Sequence, residues 1–257
     1  MNPGARAVLF RPDKVVSRVV AVASIGAGIF DWTCIAPSCT DVGCVTDAVA
    51  AAVVSGTDAV VVPPRTFSGG CPSTYEPLTS AQVRLVSNSS TVPFTLDCGG
   101  SGVLFSVEGD ARLVIQGMTL SHAGHSDSLV DPGPALRVAG AMLAVSGSSF
   151  SACSTASAAS PQLGGAVAVG VGATAVFEDV LFTGNTASQH GGAVGVLGAS
   201  ATCTMVNVTF AGNSAAVGGG ALYGGLSGNG LNDPVPPATM MCTGCVFSGD
   251  TALFGGA

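Results

Sequence analysis

Positive charge is nearly missing from this chain. Of 257 residues only 8 are lysine or arginine, against 15 acidic residues, for a formal net charge of −7. Lys14 is the single lysine, and no lysine or arginine follows Arg137. Nucleic-acid binding needs a basic face to neutralise phosphates and is excluded on that ground. Acidic residues are sparse too. Beyond Arg137 only Glu178, Asp179, Asp233 and Asp250 occur, so this half must build its surface from Ser, Thr, Asn, Ala and Gly. One Trp and two Tyr leave little material for sugar-stacking platforms. Long apolar runs are lacking as well: Val19 to Phe30 falls short of the ~20 residues of a membrane-spanning helix, and no longer uninterrupted run follows. No membrane span is expected within these residues.

What is present points to strands and turns. Hydrophobic residues make up 47% of the chain, the reverse of a disordered composition. The 37 glycines would penalise helices at about 1 kcal/mol each, which argues against a helical bundle. Small residues, valine and glycine in this mix fit many short strands joined by tight turns.

Residues 1–30 read as a basic plus apolar leader, with Arg6, Arg11, Lys14 and Arg18 ahead of Val19 to Phe30. The run has the length of a signal-peptide h-region; a buried strand is the alternative reading. Residues 31–44 form a Cys-rich linker. Nine cysteines and two acceptor sequons, at Asn88 and Asn207, favour a secreted, extracellular or cell-surface protein. Cys34, Cys39, Cys44, Cys71 and Cys98 are candidates to staple the N-terminal end, with connectivity undefined. Because nine is odd, at least one thiol is free or pairs between chains.

An internal repeat sets the architecture. Four segments place a turn residue three positions after a Phe: Phe150 and Cys153, Phe182 and Asn185, Phe210 and Asn213, Phe247 and Asp250. A Gly-Gly-Ala follows each, ending at Ala166, Ala193, Ala221 and Ala257; Leu120 and Gly133-Pro134-Ala135 form a weaker copy. Alignment on the Phe exposes inward columns. Leu113, Leu143, Ala175, Cys203 and Met240 stand seven before it, and Ile115, Val145, Phe177, Met205 and Cys242 five before. Met118, Ser148, Val180, Val208 and Cys245 stand two before. The phase break falls on Gly117, Gly147, Asp179, Asn207 and Gly244, residue types that tolerate a left-handed bend. Each repeat therefore reads as strand, bend, short strand, turn and Gly-Gly-Ala strand. One such coil cannot bury its own apolar face, so stacked neighbours must make the core. Val45 to Val54 reads as a short capping helix with Thr46 as its N-cap. The residues 225–238 lengthen one repeat with a Gly-, Asn- and Pro-rich loop, a candidate binding rim that also fits simple length drift.

The paired Phe-x-x-Asn and Gly-Gly-Ala motifs resemble the repeats of chlamydial polymorphic outer-membrane proteins. The whole resembles the pectin-lyase-like superfamily. The resemblance covers residues 45–257. It implies an all-β, right-handed, single-stranded parallel β-helix of about seven coils, an uncapped C-terminal end suggesting truncation, and an adhesin-like role. Polysaccharide or a cell-surface protein is the expected partner.

Chemistry is harder to place. Polysaccharide lyases on this fold use a basic residue and clustered aspartates, and hydrolases use paired carboxylates. Here the enzyme alternative rests on Asp97, Asp110, Arg112 and Arg137, and a purely structural wall or matrix role is a further alternative. Asp179 sits in the bend column, which explains it without catalysis. His122, His125, Asp127 and Asp131 lie in a turn-rich link too loosely spaced for a zinc site, and Cys242-x-x-Cys245 lacks a second pair. Cys242 and Cys245 read as inward packing residues, with Cys203 the neighbour of Cys242 on the adjoining coil. No metal or cofactor is expected. His190 reads as a turn residue, and Tyr223, Asn229, Asn232 and Asp233 at the projecting loop are the ligand-binding candidates.

Overall fold

Strand pairing follows the columns of the repeat. In the first sheet Leu113 pairs with Leu143, Leu143 with Ala175, Ala175 with Cys203 and Cys203 with Met240, all parallel and without slippage. In the second, Leu120, Phe150, Phe182, Phe210 and Phe247 stand in one register line. The computed structural model describes residues 21–23, 32–34, 41–55, 59–62, 66–69, 71–72, 77–79, 82–87, 94–125, 134–155, 163–225 and 237–255.

The described residues wind through four sheets of 9, 7, 5 and 6 strands, contributing to each in turn. The coils beginning at strands Arg112–Gln116, Met142–Ser146, Thr174–Glu178 and Thr202–Val206 supply all four sheets. Earlier coils reach the second sheet from Thr66–Ser68 onward, and a last one ends in Thr251–Phe254. This is the parallel β-helix expected from the repeat. Among the described strands only Ala21–Ala23 runs antiparallel to its neighbour, Trp32–Cys34.

Alternation along each strand makes the core. In Arg112–Gln116 and Thr174–Glu178 the second and fourth residues are buried and the ends face out. Phe150, Phe177, Phe182 and Phe210 are fully buried, each worth about 1.5–3 kcal/mol of apolar burial. The bend between first and second sheets carries positive φ at every copy, including the non-glycine residues Asp179 and Asn207, both at 53°. Asp and Asn enter the left-handed region more readily than other side chains, which is why the column tolerates them.

Two expectations change. A strand separates the turn from Gly-Gly-Ala: Ser154–Thr155, Thr186–Ala187 and Ser214–Gly218 form the third sheet. Elements of two residues are too short to show a period. The helix runs Val42–Ser55, and its cap is Asp41, whose Oδ1 accepts the Cys44 N–H at 2.9 Å. Thr46 lies inside the first turns and donates its hydroxyl to the Gly43 carbonyl instead. Asp41 is the better cap because its carboxylate also faces the positive end of the helix. Val42, Val45, Ala48 and Val49 bury one face of the helix in the core.

The same columns are less covered in the last coil. Met240 is 37% exposed and Phe247 39%, whereas Cys203 and Phe210 beneath them are fully buried.

Candidate functional site

The turn after the Phe column is held by an asparagine ladder. Asn185 and Asn213 are fully buried. Asn185 Oδ1 accepts the Cys153 main-chain N–H at 3.0 Å, and its Nδ2 donates to the Phe150 carbonyl at 3.1 Å. Asn213 repeats the pattern, donating to the Phe182 carbonyl at 3.1 Å. Buried amides satisfied on both sides fix the turn and leave no group free for chemistry.

Gly-Gly-Ala has an equally structural cause. A Cβ on Gly192 would run into the Gly220 carbonyl oxygen of the next coil and lie 2.5 Å from the Ser214 carbonyl oxygen. Ala166, Ala193 and Ala221 are fully buried. The motif marks where neighbouring coils approach through bare backbone.

The residues that carried the enzyme alternative separate into three places. Asp97, at the end of strand Phe94–Asp97, accepts the Gly99 N–H at 2.9 Å and lies 3.0 Å from Nδ1 of His122. His122 sits at φ 48°, a strained conformation for a histidine, and half its side chain is exposed. The sequence sets His122 beside His125 and offers Asp97 separately as an enzyme candidate; the pairing of Asp97 with His122, from one coil earlier, is visible only in the structure. Arg137 is exposed in the fourth sheet, paired in register with Ser106 and Ala168. Asp110 and Arg112 come together in an open groove of about 560 Å³ on the corner leading into the first sheet. Gln82, which the sequence did not single out, lines the same groove beside Met142 and Thr174.

Tyr223 is half-buried, and its ring stacks on His190 at 4.2 Å and 23°. One face of this candidate aromatic is thus already covered. Gly218 closes on His190 from the adjoining strand: a Cβ there would lie 3.1 Å from His190 Nδ1. Asn229, Asn232, Asp233, Asn88, Asp127, Asp131 and Cys39 lie outside the described residues. Asn207 is exposed, with Nδ2 3.3 Å from Asp179 Oδ1.

Cys71 and Cys98 form a disulfide, and Cys44 is disulfide-bonded as well. Cys242 bonds to Cys245, and Cys203 on the neighbouring paired strand is a buried free thiol like Cys153. Cys242 Sγ still lies over Met205, 4.0 Å from its Sδ, as the inward column requires. Among the described residues no three His, Cys, Asp or Glu side chains gather as metal ligands, and no helix is long and apolar enough to cross a membrane.

These features define a parallel β-solenoid whose turns are fixed by stacked Phe, a buried Asn ladder and close-packed glycines. Residues 179–196 and 207–225 match the family model of the Chlamydia polymorphic membrane protein repeat. Each matched segment starts at the left-handed bend, passes the Phe, the ladder Asn and Gly-Gly-Ala, and ends in a strand of the fourth sheet. The chain is therefore a β-solenoid that carries repeats resembling those of polymorphic membrane proteins. No curated protein matches the chain.

Proposed function

We propose that this chain is a cell-surface or extracellular β-solenoid that binds glycan or protein partners in an adhesin-like manner, without catalysis by the residues given. The observation that carries the reading is the match of two coils to the polymorphic membrane protein repeat. Three further features support it. The disulfide Cys71–Cys98 suits an oxidising compartment. The outward columns are nearly free of charge: Ser154, Thr186, Ser214 and Thr251 stand in one register line of the third sheet. Thr119, Ser149 and Thr209 share another in the second, interrupted by Leu181. In this reading residues 1–30 are a leader, 31–44 a linker and 45–257 the solenoid. Asn207 on the exposed bend is available for glycosylation.

Adhesion of beads coated with the chain to host cells or to immobilised glycans tests the proposal. Saturable binding with no release of shortened or unsaturated saccharide is the expected result. Turnover of a polysaccharide, lost on Arg112→Ala, would instead establish the lyase or hydrolase alternative. Absence of any binding would leave a wall or matrix component.

A further inference from the structure

Sulfur collects in one corner of the solenoid. Seven and five positions before the Phe column, the first-sheet strands starting at Arg112, Met142 and Thr174 carry Leu113 and Ile115, Leu143 and Val145, and Ala175 and Phe177. The next two strands carry Cys203 and Met205, then Met240 and Cys242. Cys245 follows across the bend at Gly244, which has φ 65°. That bend turns the positions five and two before the Phe toward one interior corner in every repeat, and only here are both cysteine. Met205 stands in register with Cys242, and its Sδ lies 4.0 Å from Cys242 Sγ. Met205 is buried, Cys245 half-buried and Cys242 exposed. The corner thus has core on one side and solvent access on the other.

Three sulfurs at such a corner suit one class of ligand. Thiolate and thioether donors select Cu(I) among first-row metals, whereas magnesium, calcium and manganese take oxygen. Structural zinc takes four thiolate, imidazole or carboxylate donors, and among the described residues no third His, Cys, Asp or Glu joins the two cysteines. Metal–thiolate bonds of about 2.3 Å set three sulfurs in a flat triangle about 4 Å apart. Cys242 Sγ and Met205 Sδ already have that separation. The Cα atoms of Cys242 and Cys245 are 5.8 Å apart, close enough for both thiolates to meet one ion.

We infer that the dithiol form of Cys242 and Cys245, together with Met205, is a Cu(I) site that ties two neighbouring coils together. The structure holds the pair as a disulfide. A small dithiol reductant opens it: one of its thiolates attacks a sulfur and breaks the S–S bond, and a second exchange releases the reductant as a cyclic disulfide. Two electrons and two protons pass to the protein. Cu(I) then bonds to both sulfurs and displaces both protons to solvent, while the Met205 thioether donates a lone pair and loses nothing. This disulfide is the one open to exchange. It spans 3 residues against 27 for Cys71–Cys98, so folding protects it less, and Cys242 is exposed where Cys98 is buried. The site is independent of the partner-binding reading above.

The test is anaerobic competition for Cu(I) between the full chain and the chromogenic chelator bicinchoninate. The chain is first treated with limiting dithiol, until mass analysis shows the 242–245 bond open and Cys71–Cys98 intact, and then freed of reductant. It should take one Cu(I) from the chelator, with three sulfur neighbours by X-ray absorption and a raised melting temperature, because only the folded chain joins the three donors. The untreated disulfide form should take none. Cys242→Ser and Cys245→Ser should abolish binding. Met205→Leu, of similar volume, should weaken it at least about tenfold, a loss that even changes around metal ligands can cause. This variant keeps the test decisive where a cysteine variant fails to fold. Cys203→Ala, on the same inward face but outside the triad, should leave affinity unchanged. Cu(I) retained by the chelator, unchanged affinity in Met205→Leu, binding that survives Cys242→Ser, or loss on Cys203→Ala each overturns the site.

Discussion

Asn213 receives two hydrogen bonds from Asn185 through one oxygen. Its Oδ1 accepts the Asn185 main-chain N–H at 3.0 Å and the Asn185 Nδ2 at 2.9 Å. Replacing Asn213 by Ala strips both donors of their acceptor and leaves the Phe182 carbonyl without its partner, all in a buried site. Unsatisfied buried groups cost about 1–3 kcal/mol each, so Asn213→Ala should destabilise by about 3 kcal/mol or more. Urea denaturation followed by circular dichroism measures this; a change under about 1 kcal/mol would show that the ladder is dispensable.

Asp250 tests the ladder from the opposite direction. Its Oδ1 accepts the Asn213 N–H and Nδ2, both at 2.8 Å, while its buried Oδ2 has no partner. Asn185 and Asn213 each use a second, amide position to donate to a Phe carbonyl of the preceding coil. Asp250→Asn supplies the missing donor and should raise stability by about 1–2 kcal/mol. The denaturation midpoint of this variant should move upward, and a downward move would contradict the geometry.

The Phe column should respond according to position. Phe182 lies between Phe150 at 5.0 Å and Phe210 at 5.2 Å, with Phe177 edge-on at 5.4 Å. Phe182→Ala should cost about 3–5 kcal/mol, while Phe182→Leu should cost about 1–2, since Leu120 fills the same column one end of the stack away. Phe247, 39% exposed, should lose only about 1 kcal/mol on the same truncation. Equal losses at Phe182 and Phe247 would show that burial does not set the cost.

How much of this was legible depends on what each feature rests on. Parallel stacking in register repeats one environment at every coil, so Leu113 to Met240 and Leu120 to Phe247 appear as columns before any coordinates are known. The bend was equally open to reading, because the left-handed conformation restricts Gly117, Asp179 and Asn207 to a few residue types. The third sheet was hidden, since Thr186–Ala187 has no room for a period. The Asp97–His122 pair was hidden for another reason: it joins two coils that precede the clear repeats, where no motif sets the register. The groove was least visible. It arises from side chains that are absent at Gly109, Gly140 and Gly172, and their alignment depends on coil lengths that differ between copies.

The two kinds of glycine should separate on substitution. Gly184 has φ +61° but open space around it, and Ala152 already occupies the equivalent place at φ 51°. Gly184→Ala should therefore cost only about 1–2 kcal/mol of backbone strain. A methyl group on Gly192 meets the main chain of Gly220 and Ser214, which cannot move without parting the coils. Gly192→Ala should destabilise by more than about 3 kcal/mol or prevent soluble accumulation. Thermal melts of the pair decide it, and similar melting temperatures would refute the close-approach explanation.

The two buried thiols give the solenoid a defined alkaline limit. Burial pushes both Cys153 and Cys203 up to about 12, and the nearby Asp97 charge adds to the effect at Cys153. In the unfolded chain both titrate near 8.5. Between about pH 8.5 and 12 the folded state keeps protons that the unfolded state has released, so these groups lower stability as pH rises and have no effect below that window. Two such thiols give a slope of up to about 2.7 kcal/mol per pH unit, and Cys153→Ala should halve it. Denaturant midpoints from pH 7 to 11 would measure the slope. At pH 8 a thiol reagent should label neither cysteine in the folded chain and both after unfolding. Rapid labelling of the native protein mapped by peptide analysis to Cys153 or Cys203 would mean that solvent reaches that thiol, and the predicted pH slope would then vanish with it.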